Sequence, residues 1–126
     1  MCIRDSCKTC RGISGAPVVG WITVAPDAFA FTQGRPKKYA SSAKVQRTFC
    51  GQCGTQLTYA RTDDDSEIDI TTVSLDKPNA FPPTHHSWLA HDLDWIEFMG
   101  SQTPDPRGDP PSVLSESHPD LSLIHI

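Results

Sequence analysis

Residues 47–59 constrain the fold most, because they place two cysteines at metal-ligand spacing between two strand-like segments. Cys50 and Cys53 are separated by two residues, a spacing at which two thiolates reach one ion from a tight turn. Gly51 and Gly54 let the backbone fold round such an ion at little steric cost. Apolar and polar residues alternate on both sides, as in paired strands with one buried face. We therefore predict a zinc knuckle at the tip of a β-hairpin.

A structural zinc ion takes four ligands, so this pattern calls for a second pair of cysteines, and Cys7 and Cys10 supply it. A competing interpretation is a redox pair, but a redox Cys-x-x-Cys normally opens a helix in a βαβ unit. Cys50 instead ends a predicted strand, which favours zinc. Taken by themselves, the four cysteines join in one tetrahedral site, as in a zinc ribbon.

Composition limits the partners and the compartment. The formal net charge is −4 and the basic residues are scattered, which argues against nucleic acid as the main partner. No apolar run approaches the roughly 20 residues that cross a bilayer, and the first residues lack the basic and apolar regions of a signal peptide. We expect a cytoplasmic protein with no membrane partner. Five cysteines in a reducing compartment favour thiolate ligands over disulfides, with Cys2 as an incidental thiol.

The two ends of the chain differ in character from the sequence between them. Residues 1–6 and the last six residues resemble adapter-derived ends of translated metagenome fragments. We expect residues 1–6 to be a non-native end and residues 7–100 to be a zinc-binding domain that is incomplete at its N-terminus. Residues 101–126, rich in proline and serine, are expected to be a disordered tail with non-native last residues.

The hydrophobic pattern predicts a mainly β protein. Alternation and turn residues predict strands at residues 18–24, 28–32, 38–42 and 67–75, two more in the hairpin, and an edge segment at 86–89. Residues 91–98, with a mixed apolar face, form the one predicted helix. Phosphate-binding glycine loops and nucleophile elbows are absent from the sequence, so nucleotide binding and serine hydrolysis have no support.

A set of motifs spanning about residues 7–98 resembles the glutathione-dependent formaldehyde-activating enzyme and centromere protein V family. The middle block is long and specific. The motifs are Cys7-x-x-Cys10-Arg11, Phe29-x-Phe31-x-x-Gly34, Tyr39-x-Ser41-Ser42, Arg47-x-Phe49-Cys50-x-x-Cys53-Gly54-Thr55-x-Leu57-x-Tyr59, Ser74-Leu75-Asp76-x-Pro78, and His86 with Trp95.

The resemblance implies a β-tent, which consists of two stacked antiparallel sheets with zinc knuckles at the hairpin tips. In the family's enzyme branch, a structural ion takes an early Cys-x-Cys plus the later pair that matches Cys50 and Cys53. A second ion takes three thiolates from Cys-His-Cys-x-x-Cys, whose last two cysteines match Cys7 and Cys10. Here the early Cys-x-Cys is missing, and residues 5–6 replace the first Cys-His. A Rab exchange-factor relative holds one four-thiolate ion, so one zinc or two stays open.

The resemblance also implies a chemistry. A zinc ion held by three thiolates keeps a fourth position open, where an incoming thiol is deprotonated. Glutathione or a similar thiol would then add to formaldehyde or another small aldehyde, forming S-hydroxymethylglutathione, and the reverse reaction is that of a carbon–sulfur lyase. We predict that Cys7 and Cys10 are catalytic and that Cys7, Cys10, Cys50 and Cys53 bind metal. The alternative is a non-catalytic, zinc-stabilised module that binds a thiol or a protein.

Three further residues are candidates for supporting roles. His86 is either a proton shuttle near the metal or a structural histidine. Arg11 and Arg47 are candidates to pair with the carboxylates of glutathione, and ordinary ion pairs would explain them equally well.

Overall fold

The computed structural model describes residues 1–96 and 103–104, and most of their regular structure is strand. The strands are β1 (Cys2–Asp5), β2 (Val19–Val24), β3 (Lys37–Ser42), β4 (Val45–Phe49), β5 (Gln56–Arg61), β6 (Ile68–Thr71), β7 (His85–Ser87) and β8 (Thr103–Pro104). One α-helix, α1 (Lys8–Ser14), joins β1 to β2. Short 3₁₀ helices cover Pro26–Ala28, Thr72–Ser74, Pro78–Ala80 and Leu89–His91. The prediction of a mainly β protein is confirmed.

All eight strands belong to one hydrogen-bonded sheet, in the order β3-β4-β5-β6-β2-β1-β7-β8. Neighbouring strands run antiparallel except that β7 is parallel to both β1 and β8. The prediction had two stacked sheets, but β2 pairs with β6 on one side and with β1 on the other, so the ladder is continuous. Among these residues, no helix is long and apolar enough to cross a membrane.

Alternation along the central strands divides the core into two clusters. Trp21 and Ile22 are adjacent on β2, and because successive side chains point to opposite faces, they enter different clusters. The Ile22 cluster contains Leu57 and Ile70, and the Trp21 cluster contains Ile3, Cys10 and Val19. Each face of the sheet is therefore covered by its own apolar layer.

A bulge in the predicted hairpin explains an exception to this alternation. Leu57 and Tyr59 are two residues apart, yet Leu57 packs in the Ile22 cluster and Tyr59 against the Trp21 cluster. The β4–β5 register shifts after Thr48, so Leu57 lies opposite no residue of β4. An extra residue of this kind breaks the alternation locally. The hairpin at residues 45–61 is confirmed with this added irregularity.

We predict that Ile22→Ala will destabilise the fold by about 3 kcal/mol, because Ile22 is 0% exposed and truncation leaves a cavity. Urea denaturation monitored by circular dichroism measures the loss. Ile13→Ala is the matched control, since Ile13 is 38% exposed and its truncation should cost less than about 0.5 kcal/mol. Equal losses at the two positions would contradict the assigned core.

Two of the strand predictions were wrong. The predicted strand at residues 28–32 is absent, because Pro26–Ala28 is a 3₁₀ turn and no neighbouring strand pairs with the residues after it. Phe29 and Phe31 still pack against the Ile22 cluster. The strand predicted at residues 67–75 ends at Thr71, where Ser74 Oγ donates to the Thr71 carbonyl at 2.8 Å and closes a turn. Val73, which lies within this turn, is 78% exposed.

The helix prediction was wrong in its position. The α-helix of the described residues is instead α1, which follows Cys7 and ends where Gly15 adopts φ +68° and donates to the Arg11 carbonyl. Most of the predicted helix at residues 91–98 is non-helical, and only a 3₁₀ turn, Leu89–His91, reaches its start. Residues 97 and 98 lie outside the described residues. A seven-residue helix with an internal glycine carries a weak periodic signal, which explains the error.

Residues 1–6 are an integral part of this sheet. Strand β1 lies between β2 and β7, and Cys2 and Ile3 are buried in the two clusters. The foreign origin of these residues stays a prediction, as do the domain bounds. The predicted disordered tail at residues 101–126 lies outside the described residues except for the two of β8.

Candidate functional site

A cavity of about 560 Å³ opens on the Trp21 face of the sheet. Its walls come from α1, from each of the strands β1 to β7, and from Trp88, which follows β7. Cys7 and Cys10 both line it, together with Arg47. Strands distant in sequence therefore bring the first predicted cysteine pair to one pocket.

Asp5 holds the segment that carries this cysteine pair. Its Oδ1 accepts from the Cys7 backbone N–H at 2.8 Å, and its Oδ2 accepts from Trp21 Nε1 at 3.1 Å. Cys7 caps α1 and Cys10 lies in its first turn, so one anchored turn presents both sulfurs. Burial raises the pKa of the Asp5 carboxyl, and these hydrogen bonds oppose the rise.

Arg47 is buried beside Cys10. Its Nη2 donates to Cys10 Sγ at 3.5 Å, its Nε donates to Ser41 Oγ at 2.9 Å, and its guanidinium lies 4.9 Å from the centre of the Tyr59 ring. The pKa of the Cys10 thiol is raised to about 12, mainly by burial and also by the nearby Asp5 charge, while Arg47 opposes the rise. At neutral pH Cys10 is a thiol, and a bound cation would be needed to hold it as a thiolate.

Cys50 and Cys53 occupy the tip of the hairpin, as predicted. Cys50 is buried in the Ile22 cluster, and Cys53 is exposed. The Cys50 N–H donates to the Thr55 carbonyl, and Gly54, at φ +79°, donates to the Cys50 carbonyl, both at 2.8 Å. A hydrogen bond with the Thr55 hydroxyl lowers the pKa of Cys53, and the neighbouring Cys50 thiol adds to this effect. The tight turn therefore brings the two sulfurs together.

The four cysteines do not converge on one point. Cys10 belongs to the Trp21 cluster and Cys50 to the Ile22 cluster. Within residues 1–96, no three side chains among His, Cys, Asp and Glu lie close enough together to hold a metal ion. A single four-thiolate site, one of the alternatives from the sequence, is not assembled. Cys7 and Cys10 share one turn, and Cys50 and Cys53 share another.

Of the three residues predicted to have supporting roles, one lines the cavity and two do not. Arg47 lines the cavity, whereas Arg11 does not. His86 is buried outside it, with Nε2 2.8 Å from Ser6 Oγ and 3.3 Å from Asp92 Oδ1. Burial lowers the pKa of His86, and the Asp92 charge opposes this. These contacts fit the structural interpretation of His86.

Sequence reasoning missed two cavity residues with unusual surroundings. Asp69 on β6 lines the cavity and accepts a hydrogen bond from Thr23 Oγ1. Trp88 lines it with a left-handed backbone at φ +58° and ψ +44°, stacked on His91 at 4.9 Å. Bulky side chains avoid this conformation, and such strain concentrates at functional sites. The only signal for Asp69 was a carboxylate alternating with two isoleucines.

We predict that Asp69→Asn will stabilise the protein relative to wild type, and that this stabilisation will be about 2 kcal/mol larger at pH 7 than at pH 4. The pKa of Asp69 is raised to about 6, mainly by burial and also by the charges of Glu67 and Asp5, while the Thr23 hydrogen bond and the N-terminal amine oppose the rise. The proton is bound more tightly in the folded state, so wild-type stability is greatest below pH 4 and falls as the pH rises to about 6. Asparagine lacks this titration. Urea denaturation at both pH values measures the difference.

The control for that experiment is Asp65→Asn, which removes the same charge from an exposed loop. A stability difference for Asp69→Asn that stays constant between pH 4 and pH 7 would contradict the raised pKa.

Comparison with protein-family models gives one finding. The model described as glutathione-dependent formaldehyde-activating enzyme matches residues 1–91. That span contains all the cavity-lining residues. A search of curated proteins returned no match.

Proposed function

Because the chain belongs to the glutathione-dependent formaldehyde-activating enzyme family, we propose that it joins glutathione, or a similar thiol, to formaldehyde or another small aldehyde. The sulfur adds to the carbonyl carbon, a carbon–sulfur bond forms, and the carbonyl oxygen gains the thiol proton. With glutathione and formaldehyde the product is S-hydroxymethylglutathione. The reverse reaction cleaves the same bond, so the chemistry is of the carbon–sulfur lyase type.

The observation that carries this proposal is the cavity that Cys7, Cys10 and Arg47 share. Its volume of about 560 Å³ lies within the roughly 300–1,000 Å³ of typical small-molecule sites. Apolar walls from Ile3 and Trp21 surround a few polar groups, which is the usual character of such sites. A peptide-sized thiol and a one-carbon aldehyde fit this space together.

We propose that Cys7 and Cys10 are ligands of a reactive zinc ion and that Cys50 and Cys53 are ligands of a structural one. Both pairs pass a first test of fit, because each places two sulfurs on one tight turn. The buried Cys10 thiol, which lies beside the Arg47 guanidinium, is also a metal ligand that a bound cation would convert to a thiolate. The described part of the chain supplies two ligands at each site. When bound, zinc would lower the pKa of an incoming thiol.

The residues around Cys7 and Cys10 have positioning roles in this proposal. Asp5 fixes the turn through the Cys7 N–H and the Trp21 indole. Arg47 favours the thiolate form of Cys10 by donating to its sulfur. Trp21 and Tyr59, whose ring centres lie 6.3 Å apart, give the cavity an aromatic wall.

The test must separate catalysis from the spontaneous reaction of thiols with formaldehyde. Exchange spectroscopy by NMR measures the interconversion of glutathione and S-hydroxymethylglutathione at equilibrium, with and without the purified protein. We expect an exchange rate that rises in proportion to protein concentration and falls to background after chelation of the metal. An exchange rate equal to background at every protein concentration would overturn the enzyme proposal. Binding of glutathione without such a rate would support the alternative, a non-catalytic thiol-binding module.

A further inference from the structure

A row of polar side chains crosses the cavity from one strand to the next. Arg47 on β4 lies opposite Tyr59 on β5, and Tyr59 lies opposite Asp69 on β6. All three line the cavity. Two strand spacings of 4.7–4.9 Å place the backbones of Arg47 and Asp69 roughly 10 Å apart. The row therefore has a positive end and a negative end.

Arg47 has a donor with no partner at the positive end. The residue is 4% exposed, and Nη1 makes no hydrogen bond to any described residue. Its Nε and Nη2 are already used by Ser41 and Cys10. A buried donor without a partner costs about 1–3 kcal/mol. Because Arg47 lines the cavity, a carboxylate bound there would satisfy this group and pair with its charge.

Asp69 forms the negative end of the row, where the N-terminal amine is the nearby positive charge that favours its ionised form. In the described part of the chain no Lys, Arg or His lies within ion-pair distance of it, and Thr23 donates its one observed side-chain hydrogen bond. Burial, Glu67 and Asp5 all disfavour its ionised form. The fold therefore carries a half-buried carboxylate at a cost in stability, as functional sites often do. An ammonium group bound in the cavity would offset that cost.

We propose that Arg47 and Asp69 select the thiol by its amino-acid charges, with a ligand carboxylate at Arg47 and a ligand ammonium at Asp69. This inference rests on the proposed function and deepens it, because it makes a charged peptide thiol such as glutathione the ligand class and excludes simple uncharged thiols. A tripeptide spans roughly 10 Å when extended, which matches the length of the row. Tyr59 lies between the two charges and provides an aromatic surface for the middle of the ligand.

The test uses S-methylglutathione, whose blocked sulfur cannot react, so its binding is independent of turnover. The comparison ligand is an analogue in which a glutaryl group replaces the γ-glutamyl residue, so that it lacks the ammonium. Titration calorimetry measures the affinity of the full chain for each of the two ligands. We expect wild type to bind S-methylglutathione at least about tenfold more tightly. Asp69→Asn should bind the two ligands equally, within twofold, while Asp65→Asn keeps the preference. Failure of wild type to bind S-methylglutathione, or a preference that survives in Asp69→Asn, would overturn the proposal.

The Arg47 end is tested by amidating each carboxylate of S-methylglutathione in turn. One of the two amides should bind wild type at least about fivefold more weakly, and Arg47→Gln should remove that difference. If neither amide binds more weakly, the role of Arg47 is refuted. A protein that shows these preferences but no exchange rate above background would support charge selection and reject catalysis, so the two proposals fail separately.

Discussion

Replacing Cys10 with serine is expected to lower the glutathione-dependent exchange rate at least about 100-fold while leaving the fold intact. Loss of a residue that hydrogen-bonds a metal ligand lowers metal affinity or activity by about 10–100-fold. Loss of the ligand itself should therefore lower activity by at least about 100-fold. Serine fits the position, because Arg47 donates to the Cys10 sulfur and Asp5 accepts a hydrogen bond from it. The exchange assay, zinc analysis and a circular dichroism melt together measure the result.

Cys2→Ala is the matched control for Cys10→Ser. Cys2 is buried in the Ile22 cluster, away from the cavity, and alanine keeps the site apolar. The control should keep its exchange rate within about twofold and its full zinc content. A Cys10→Ser protein with wild-type exchange would remove Cys10 from the catalytic site, and normal zinc content would remove it from the ligands.

Replacing Cys53 with serine is expected to abolish cooperative unfolding at neutral pH. Structural zinc contributes on the order of 10 kcal/mol in small domains, which is comparable to the whole stability of a domain this size. Cys53 is exposed, so its own packing contributes little, and a surface Cys→Ser change should cost no more than about 0.5 kcal/mol without metal. The exposure of Cys53 therefore makes this substitution a clean test of a ligand role. A thermal melt followed by circular dichroism measures it.

Chelation is the control for Cys53→Ser. A chelator should likewise abolish the cooperative melting transition of wild type, and it should leave the melting curve of the variant unchanged. Cys50→Ser would be ambiguous, because Cys50 is buried and serine would disturb the core even without a metal. A Cys53→Ser protein that melts like wild type, with zinc still bound, would exclude Cys53 from the ligands.

Several elements were predictable because the signals that specify them are local. The β4–β5 hairpin follows from alternation on both sides of a glycine-containing turn, and its tip brings Cys50 and Cys53 together as predicted. Strand β2 was placed within one residue of its start. Helix α1 was missed, because seven residues with an internal glycine give little periodicity. Asp5 holds the first turn of the helix through the Cys7 N–H, and the Trp21 indole, a tertiary partner, donates to the same carboxylate.

The cavity shows the limit of local reasoning. Cys7 and Cys10 were identified from their spacing, but Asp69 was not, since one carboxylate between two isoleucines looks like a solvent-facing position. Only the register across β4, β5 and β6 reveals that this face is a cavity wall with Arg47 at its other end. His86 had two interpretations, and its contacts with Ser6 and Asp92 favour the structural one.

The amino-acid sequence by itself determined the mainly β class, the family, the hairpin and the two cysteine pairs, because spacing, alternation and turn residues act over a few neighbours. The tertiary structure alone decided that the strands form one continuous sheet, that the two pairs belong to different clusters, and that Arg47 and Asp69 face one cavity. The physical reason is that strand pairing joins residues far apart in the chain. Their register fixes which side chains share a face, and no local pattern encodes that register.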